Sequence, residues 1–187
     1  RAIPLAKVPL FGAHNIENVM TALLIADLCG VPLPRAERGL ASFRGLPHRL
    51  EKVRELDGVA FFNDSKATNV AATTKSLESF PGKVVLILGG KDKGGDFTQL
   101  LPLVRELVAH LVLMGKARDA IAAQIGAAVP ATMVVTMAEA VEAARSKAPP
   151  GGVVLLAPGC ASFDQYAGFE ERGEDFRRLV MALGPVA

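Results

Sequence analysis

From residue 59 onward, short uninterrupted apolar runs alternate with longer segments of helical period, and no other feature constrains the fold as tightly. The runs lie at residues 59–62, 83–88, 111–114, 132–135 and 153–156, and several are rich in valine, leucine and isoleucine. A strand with one wet face alternates apolar and polar residues, whereas a strand covered on both faces reads as a continuous apolar run. Helices are expected over 69–79, 97–109, after Ala117, over 138–147 and over 170–183. Apolar strands separated by helices imply a mostly parallel sheet with helices on both faces, a Rossmann-like α/β architecture. Residues 51–56 are expected to join it antiparallel, through a tight turn at Asp57-Gly58.

The first forty residues follow a different pattern. An apolar helix is expected over 15–29, stopped by Gly30 and Pro32, one permitting a left-handed conformation and the other forbidding continuation. Pro34 suits a first helical turn, so a short helix through Leu40 follows. Residues 44–50, which include Arg44-Gly45-Leu46-Pro47-His48-Arg49, have no apolar period and read as a linker or hinge. The division expected is therefore residues 1–43, a hinge over 44–50, and an α/β domain over 51–187.

Half of the 187 residues are apolar, enough for a substantial core. Lys and Arg number 21 against 19 Asp and Glu, and no basic run is interleaved with aromatics, which argues against a nucleic-acid partner. No apolar stretch has the length of a membrane span. The two cysteines, Cys29 and Cys160, show neither pairing nor metal-ligand spacing and read as reduced thiols of a cytoplasmic protein. The chain opens on Arg1, from which a start inside a longer polypeptide is expected.

In parallel sheets, ligands bind beyond the carboxyl ends of the strands. Three polar clusters fall just there: Asn63-Asp64-Ser65-Lys66-Ala67-Thr68-Asn69, Gly89-Gly90-Lys91-Asp92-Lys93, and Pro158-Gly159-Cys160-Ala161-Ser162. Each also has a plainer reading. Asp64, Ser65, Thr68 or Asn69 can cap the next helix, although capping does not call for Lys66, whose charge is disfavoured near a helix start unless an anion arrives. The glycine-rich second cluster lacks the Gly-Lys-Ser/Thr ending of a phosphate loop; it is either a flexible turn or a frame for Lys93 as a point charge for a carboxylate. The third is either a turn or an anion site built on Ser162. A serine nucleophile is not indicated, since no Gly-x-Ser-x-Gly elbow or nearby base appears. Asn15 and Asn18 share one helix face, where two amides suit an adenine edge or Asn15 acts as a cap. His14 and His48 lack metal-ligand spacing and read as structural, and His110 reads as a residue at a helix end.

Taken in order, Gly12-Ala13-His14-Asn15-x-x-Asn18, Gly45-Leu46-Pro47-His48-Arg49, Asn63-Asp64-Ser65-Lys66-Ala67-Thr68-Asn69, Gly89-Gly90-x-Asp92-Lys93, Cys160-Ala161-Ser162-x-Asp164-Gln165 and Phe169-Glu170-x-Arg172-Gly173-x-x-Phe176 resemble the Mur ligases, and in particular the branch that adds D-glutamate. The resemblance spans nearly the whole chain. It implies a three-domain, monomeric, cytoplasmic enzyme of peptidoglycan synthesis that uses ATP and Mg2+. ATP phosphorylates the carboxylate of UDP-N-acetylmuramoyl-L-alanine, and the amine of D-glutamate attacks the acyl phosphate. Residues 1–43 would be the last helices of the central ATP-binding domain and residues 51–187 the amino-acid-binding domain. By motif, Asn15 and Asn18 would contact adenine, Arg49 the phosphates and Asp64 the ribose. Lys66 would be catalytic, steadying charge as the phosphoryl group moves. Thr68, Lys93, Ser162 and Phe169 would receive D-glutamate. The phosphate loop and the magnesium ligands of the family are expected upstream, in partner domains of the same polypeptide, so this chain alone is expected to be inactive. Two alternatives remain: a nucleotide- or amino-acid-binding module without catalysis, and a sister ligase such as folylpolyglutamate synthase.

Overall fold

The computed structural model describes residues 3–4, 7–10 and 12–185. The chain forms two compact units, Arg1–Leu46 and Pro47–Ala187. In the first, α1 spans Ala13–Leu28 and α2 spans Leu33–Ser42. Gly30 takes φ +75° and its N–H donates to Asp27 O at 2.9 Å, so α1 ends as its sequence suggests. Lys7 Nζ pairs with Glu37 Oε1 of α2 at 2.6 Å. Met20, Leu24, Ile25 and Leu28 of α1 are exposed.

The second unit is a six-stranded sheet in the order β1-β2-β6-β3-β4-β5. Its strands are β1 (Glu51–Leu56), β2 (Val59–Asn63), β3 (Val84–Gly89), β4 (Val108–Met114), β5 (Ala131–Met133) and β6 (Val153–Leu156). β1 pairs antiparallel with β2, across a turn in which Asp57 and Gly58 have φ +53° and +74°. Such paired positive φ values match the twist of a two-residue hairpin. All other pairings are parallel.

Alternate residues of β3 enter two different cores. Val84, Leu86 and Leu88 pack with Leu77 of α3 (Val70–Leu77), Val104 of α4 (Leu101–Leu107) and Ile121 of α5 (Arg118–Ile125). Val85 and Ile87 pack instead with Val141 of α6 (Met137–Lys147) and Phe176 and Val180 of α7 (Phe169–Ala182). Every β3 residue is buried, which explains why its run shows no polar alternation. Each such side chain contributes about 1.5–3 kcal/mol by leaving water, so the central strands anchor the loops that follow them.

Three expectations required correction. The helix expected over 97–109 is a 3₁₀ turn, Phe97–Leu100, followed by α4, which ends at Leu107. Val108 already belongs to β4, because it pairs with Val84 and its side chain joins the core. The edge strand expected over 132–135 spans Ala131–Met133. His110 is consequently not at a helix end. It lies within β4, 9% exposed, with Nε2 2.8 Å from Thr132 Oγ1.

Burial, aided by the positive charge of Lys147, lowers the pKa of His110 from its ordinary 6.5. Protons therefore bind the unfolded chain more readily than the folded one. The stability this histidine contributes is present above about pH 6.5 and is lost as pH falls through its lowered folded value. Thermal unfolding followed from pH 7.5 to 5 is expected to show a shallower decline in His110→Gln than in the unmodified protein. Parallel declines would remove His110 as a source of acid sensitivity. Among the described residues no helix is long and apolar enough to cross a membrane.

Candidate functional site

β6 lies between β2 and β3 in the sheet, so the three polar clusters emerge from adjacent strand ends. Backbone hydrogen bonds then join the loops. Asp64 N–H donates to Leu156 O at 2.8 Å, Gly159 N–H to Ala67 O at 2.9 Å and Gly89 N–H to Pro158 O at 2.8 Å. Lys91 and Ala161 exchange two backbone bonds, 2.8 and 3.0 Å, as an isolated antiparallel bridge. Gly90 permits this approach: a Cβ there would stand 2.4 Å from Ala161 O, and its φ is +140°. A fourth loop, after β4, joins through Ala117 N–H to Gly90 O at 2.9 Å and Lys116 N–H to Asp164 Oδ2 at 3.0 Å.

In the loop after β2, the helix-capping question has one answer: Asn69 Oδ1 accepts from Ala72 N–H at 2.8 Å. Asp64, nearly buried, instead turns one oxygen towards the Ser76 hydroxyl inside α3. Lys66, half-buried, places Nζ 4.2 Å from the centroid of the Phe169 ring, while its N–H donates to His48 O at 3.1 Å. A cation on an aromatic face gains about 0.5–1 kcal/mol at an exposed site, enough to bias a rotamer. Thr68 is half-buried beside it in sequence.

Lys93 is exposed, and its N–H donates to Asp92 Oδ1 at 2.7 Å. Ser162 is 2% exposed; its carbonyl accepts from Gln165 and Tyr166 N–H groups at 3.1 and 2.9 Å. Burial, and then the Asp92 carboxylate, push the Cys160 thiol up to about 12 against the opposing charges of Arg172 and Lys93. A thiol that stays protonated is no nucleophile.

His48 is buried and has φ +62°. Its Nδ1 lies 3.0 Å from Asn63 Nδ2, which also donates to Gly173 O of α7 at 3.1 Å. The structural reading of His48 therefore holds, and the side chain of His14 lies outside the described residues. Arg49, next in sequence, is exposed. In the first unit, Asn15 and Asn18 sit in α1 with Asn18 Nδ2 3.5 Å from Asn15 Oδ1. The two amides do share a face, and the N-cap of α1 is Gly12, with Asn15 already inside the helix.

One residue at the centre of this site went unremarked in the sequence beyond its place in a motif. Arg172 of α7 is 2% exposed. Its Nε donates to Ser65 Oγ at 2.9 Å, one terminal nitrogen to Ser65 O at 2.8 Å and the other to Cys160 O at 3.1 Å. Ser65 Oγ in turn donates a hydrogen bond to Phe169 O at 2.8 Å. One guanidinium thus fastens the loop after β2 to the loop after β6 and to the start of α7. Burial pulls its pKa down to about 10, against Cys160, Asp164 and Tyr166, so it remains charged at neutral pH. The signal was present: residues 172, 176 and 180 fall on the buried stripe of α7, and an arginine there needs acceptors.

The joined loops after β2, β3 and β6 carry three lysines, Lys66, Lys91 and Lys93, beside the buried Ser162, a set suited to an anionic ligand. Among the described residues no group of three or more His, Cys, Asp or Glu could hold a metal ion.

Residues 48–160 match the profile of the family described as "Mur ligase, glutamate ligase domain". The chain is 48% identical over 181 residues to the UDP-N-acetylmuramoylalanine–D-glutamate ligase of Geobacter metallireducens, covering 97% of this chain and 40% of that protein. It is 47% identical over 180 residues to the enzyme of the same name from Acidobacterium capsulatum, covering 96% and 39%. The chain thus spans about two fifths of the length of these curated relatives. Among solved structures, UDP-N-acetylmuramate–alanine ligase from Thermotoga maritima shares the fold with a TM-score of 0.69 at 16% identity, over 92% of this chain and 39% of that one. Folylpolyglutamate synthase from Mycobacterium tuberculosis, complexed with ADP, does so with a TM-score of 0.68 at 19% identity, over 96% and 42%.

Proposed function

Since the chain belongs to the Mur ligase family, we propose that it is part of an ATP-dependent ligase that joins D-glutamate to UDP-N-acetylmuramoyl-L-alanine in the cytoplasm. The observation that carries this reading is the joining of the loops after β2, β6 and β3, which bear Lys66, Ser162 and Lys93. D-Glutamate carries two carboxylates, and cations with a hydroxyl at one end of a sheet are the groups that recognise them. The identity of 48% to D-glutamate ligases, against 19% to a folylpolyglutamate synthase, favours the first over the sister activity.

In this reading Lys93 and Ser162 hold the carboxylates of D-glutamate, with Thr68 and Phe169 beside them. Asn15 and Asn18 contact the adenine of ATP, Asp64 the ribose and Arg49 the phosphates. Lys66 offsets negative charge as the γ-phosphoryl group moves to the substrate carboxylate, whose acyl phosphate the amine then attacks. Magnesium would offset phosphate charge from ligands carried by the rest of a monomeric polypeptide.

Phosphate release by the full-length protein tests the proposal. Turnover is expected only when ATP, UDP-N-acetylmuramoyl-L-alanine and D-glutamate are all present, and L-glutamate should not replace the D-isomer. The 187-residue chain alone is expected to release none. Equal turnover with L-glutamate, or with a folate substrate, would defeat the assignment.

A further inference from the structure

The loop that carries Lys93 is held by a single carboxylate oxygen. Asp92 Oδ1 accepts from Lys93 N–H at 2.7 Å and from Gly95 N–H at 2.9 Å. On one side of Asp92, Lys91 is fixed to Ala161 by the two-bond bridge. On the other, Gly94 has φ +82°, and a Cβ at Gly95 would stand 3.3 Å from both Asp92 Oδ1 and Val70 Cγ2. The turn is therefore packed against the first residue of α3 while its outer edge presents Lys93 to solvent. The placement of a long, flexible lysine begins with its backbone, and here that backbone is set by Asp92.

We infer that Asp92 is a positioning residue for Lys93, acting as a hydrogen-bond acceptor and not through its charge. The inference rests on the reading that Lys93 receives a carboxylate of D-glutamate. Among the described residues Asp92 makes no ion pair. An asparagine presents a carbonyl oxygen at the same place and accepts the same two bonds, whereas alanine offers none. Misplacing a substrate-binding group by a fraction of an ångström weakens the contact it makes without touching contacts made elsewhere.

Steady-state kinetics of the full-length ligase test this. Asp92→Ala is expected to raise the KM for D-glutamate about tenfold, leaving the KM for ATP and the thermal midpoint near their original values. Asp92→Asn is expected to restore the D-glutamate KM to within about threefold of the unmodified enzyme, given its equivalent acceptor. An Asp92→Asn enzyme as impaired as Asp92→Ala would overturn the inference, because the charge would then be what matters. Equal rises in both KM values would overturn it too, since that marks a general loss of structure. If Asp92→Ala does not fold, Asp92→Glu serves, its extra methylene displacing the acceptor, and an unchanged D-glutamate KM there has the same consequence. Lys93→Ala separates the two layers of the argument. Should it leave the D-glutamate KM unchanged, the reading of Lys93 fails; should it raise that KM while Asp92→Ala does not, only the role of Asp92 fails.

Discussion

Arg172→Ala is expected to lower the stability of the α/β unit by about 3 kcal/mol or more, the order expected when three buried neutral acceptors lose their shared donor group. The cause is what the guanidinium leaves behind. Ser65 O, Cys160 O and Ser65 Oγ all lose a donor, and a buried carbonyl without a partner costs about 1–3 kcal/mol. The truncated side chain also leaves a void beside Phe176 on the buried stripe of α7. Chemical denaturation of the protein measures this directly, as a lower midpoint with an unchanged slope. Arg172→Lys should recover only part of the loss, because one ammonium cannot reproduce three donors in a planar fork. The same substitution releases the loops that carry Lys66 and Ser162, so ligase activity in the full-length protein is expected to fall with it. A midpoint within experimental scatter of the original would mean that the three acceptors find other donors, and the pinning role would be lost.

How far the sequence revealed this arrangement depended on whether local pattern or tertiary contact decided each element. The strands were legible because Val84 to Leu88 cannot sit at a surface, and the hairpin because Asp57-Gly58 accepts positive φ. The junction of α4 and β4 was not: Leu107-Val108-Ala109-His110 suits either helix or strand, and the pairing of Val108 with Val84 decided it. His110 was misplaced for the same reason. Within the site, the clusters were visible as polar residues after apolar runs. Which of Asp64, Ser65, Thr68 and Asn69 caps α3 was undetermined, because all have a suitable oxygen and only the path of the backbone selects Asn69. The role of Arg172 was not legible because two of its three acceptors are carbonyls, 107 and 12 residues away, and carbonyls leave no mark in a sequence.

Lys66 provides the test with the largest expected effect on chemistry. Its backbone is held independently of its side chain: Lys66 N–H is bound to His48 O, and the flanking Ser65 and Ala67 are buried. Lys66→Ala should therefore leave the fold intact and remove only a half-exposed ammonium and its contact with the Phe169 ring. If that ammonium steadies the charge that develops as the phosphoryl group moves, kcat of the full-length enzyme should fall by about 10²–10³, the cost of losing one preorganised electrostatic donor. A group that merely bound ATP would instead raise the KM for ATP and spare kcat. Lys66→Arg distinguishes charge from placement, since the planar guanidinium keeps the charge but stacks on Phe169 differently and reaches further. Little recovery with arginine would show that position matters as much as sign. Near-normal kcat in Lys66→Ala, with the thermal midpoint unchanged, would move the chain from catalysis to binding, because no other cation on the β2 loop stands at that strand end.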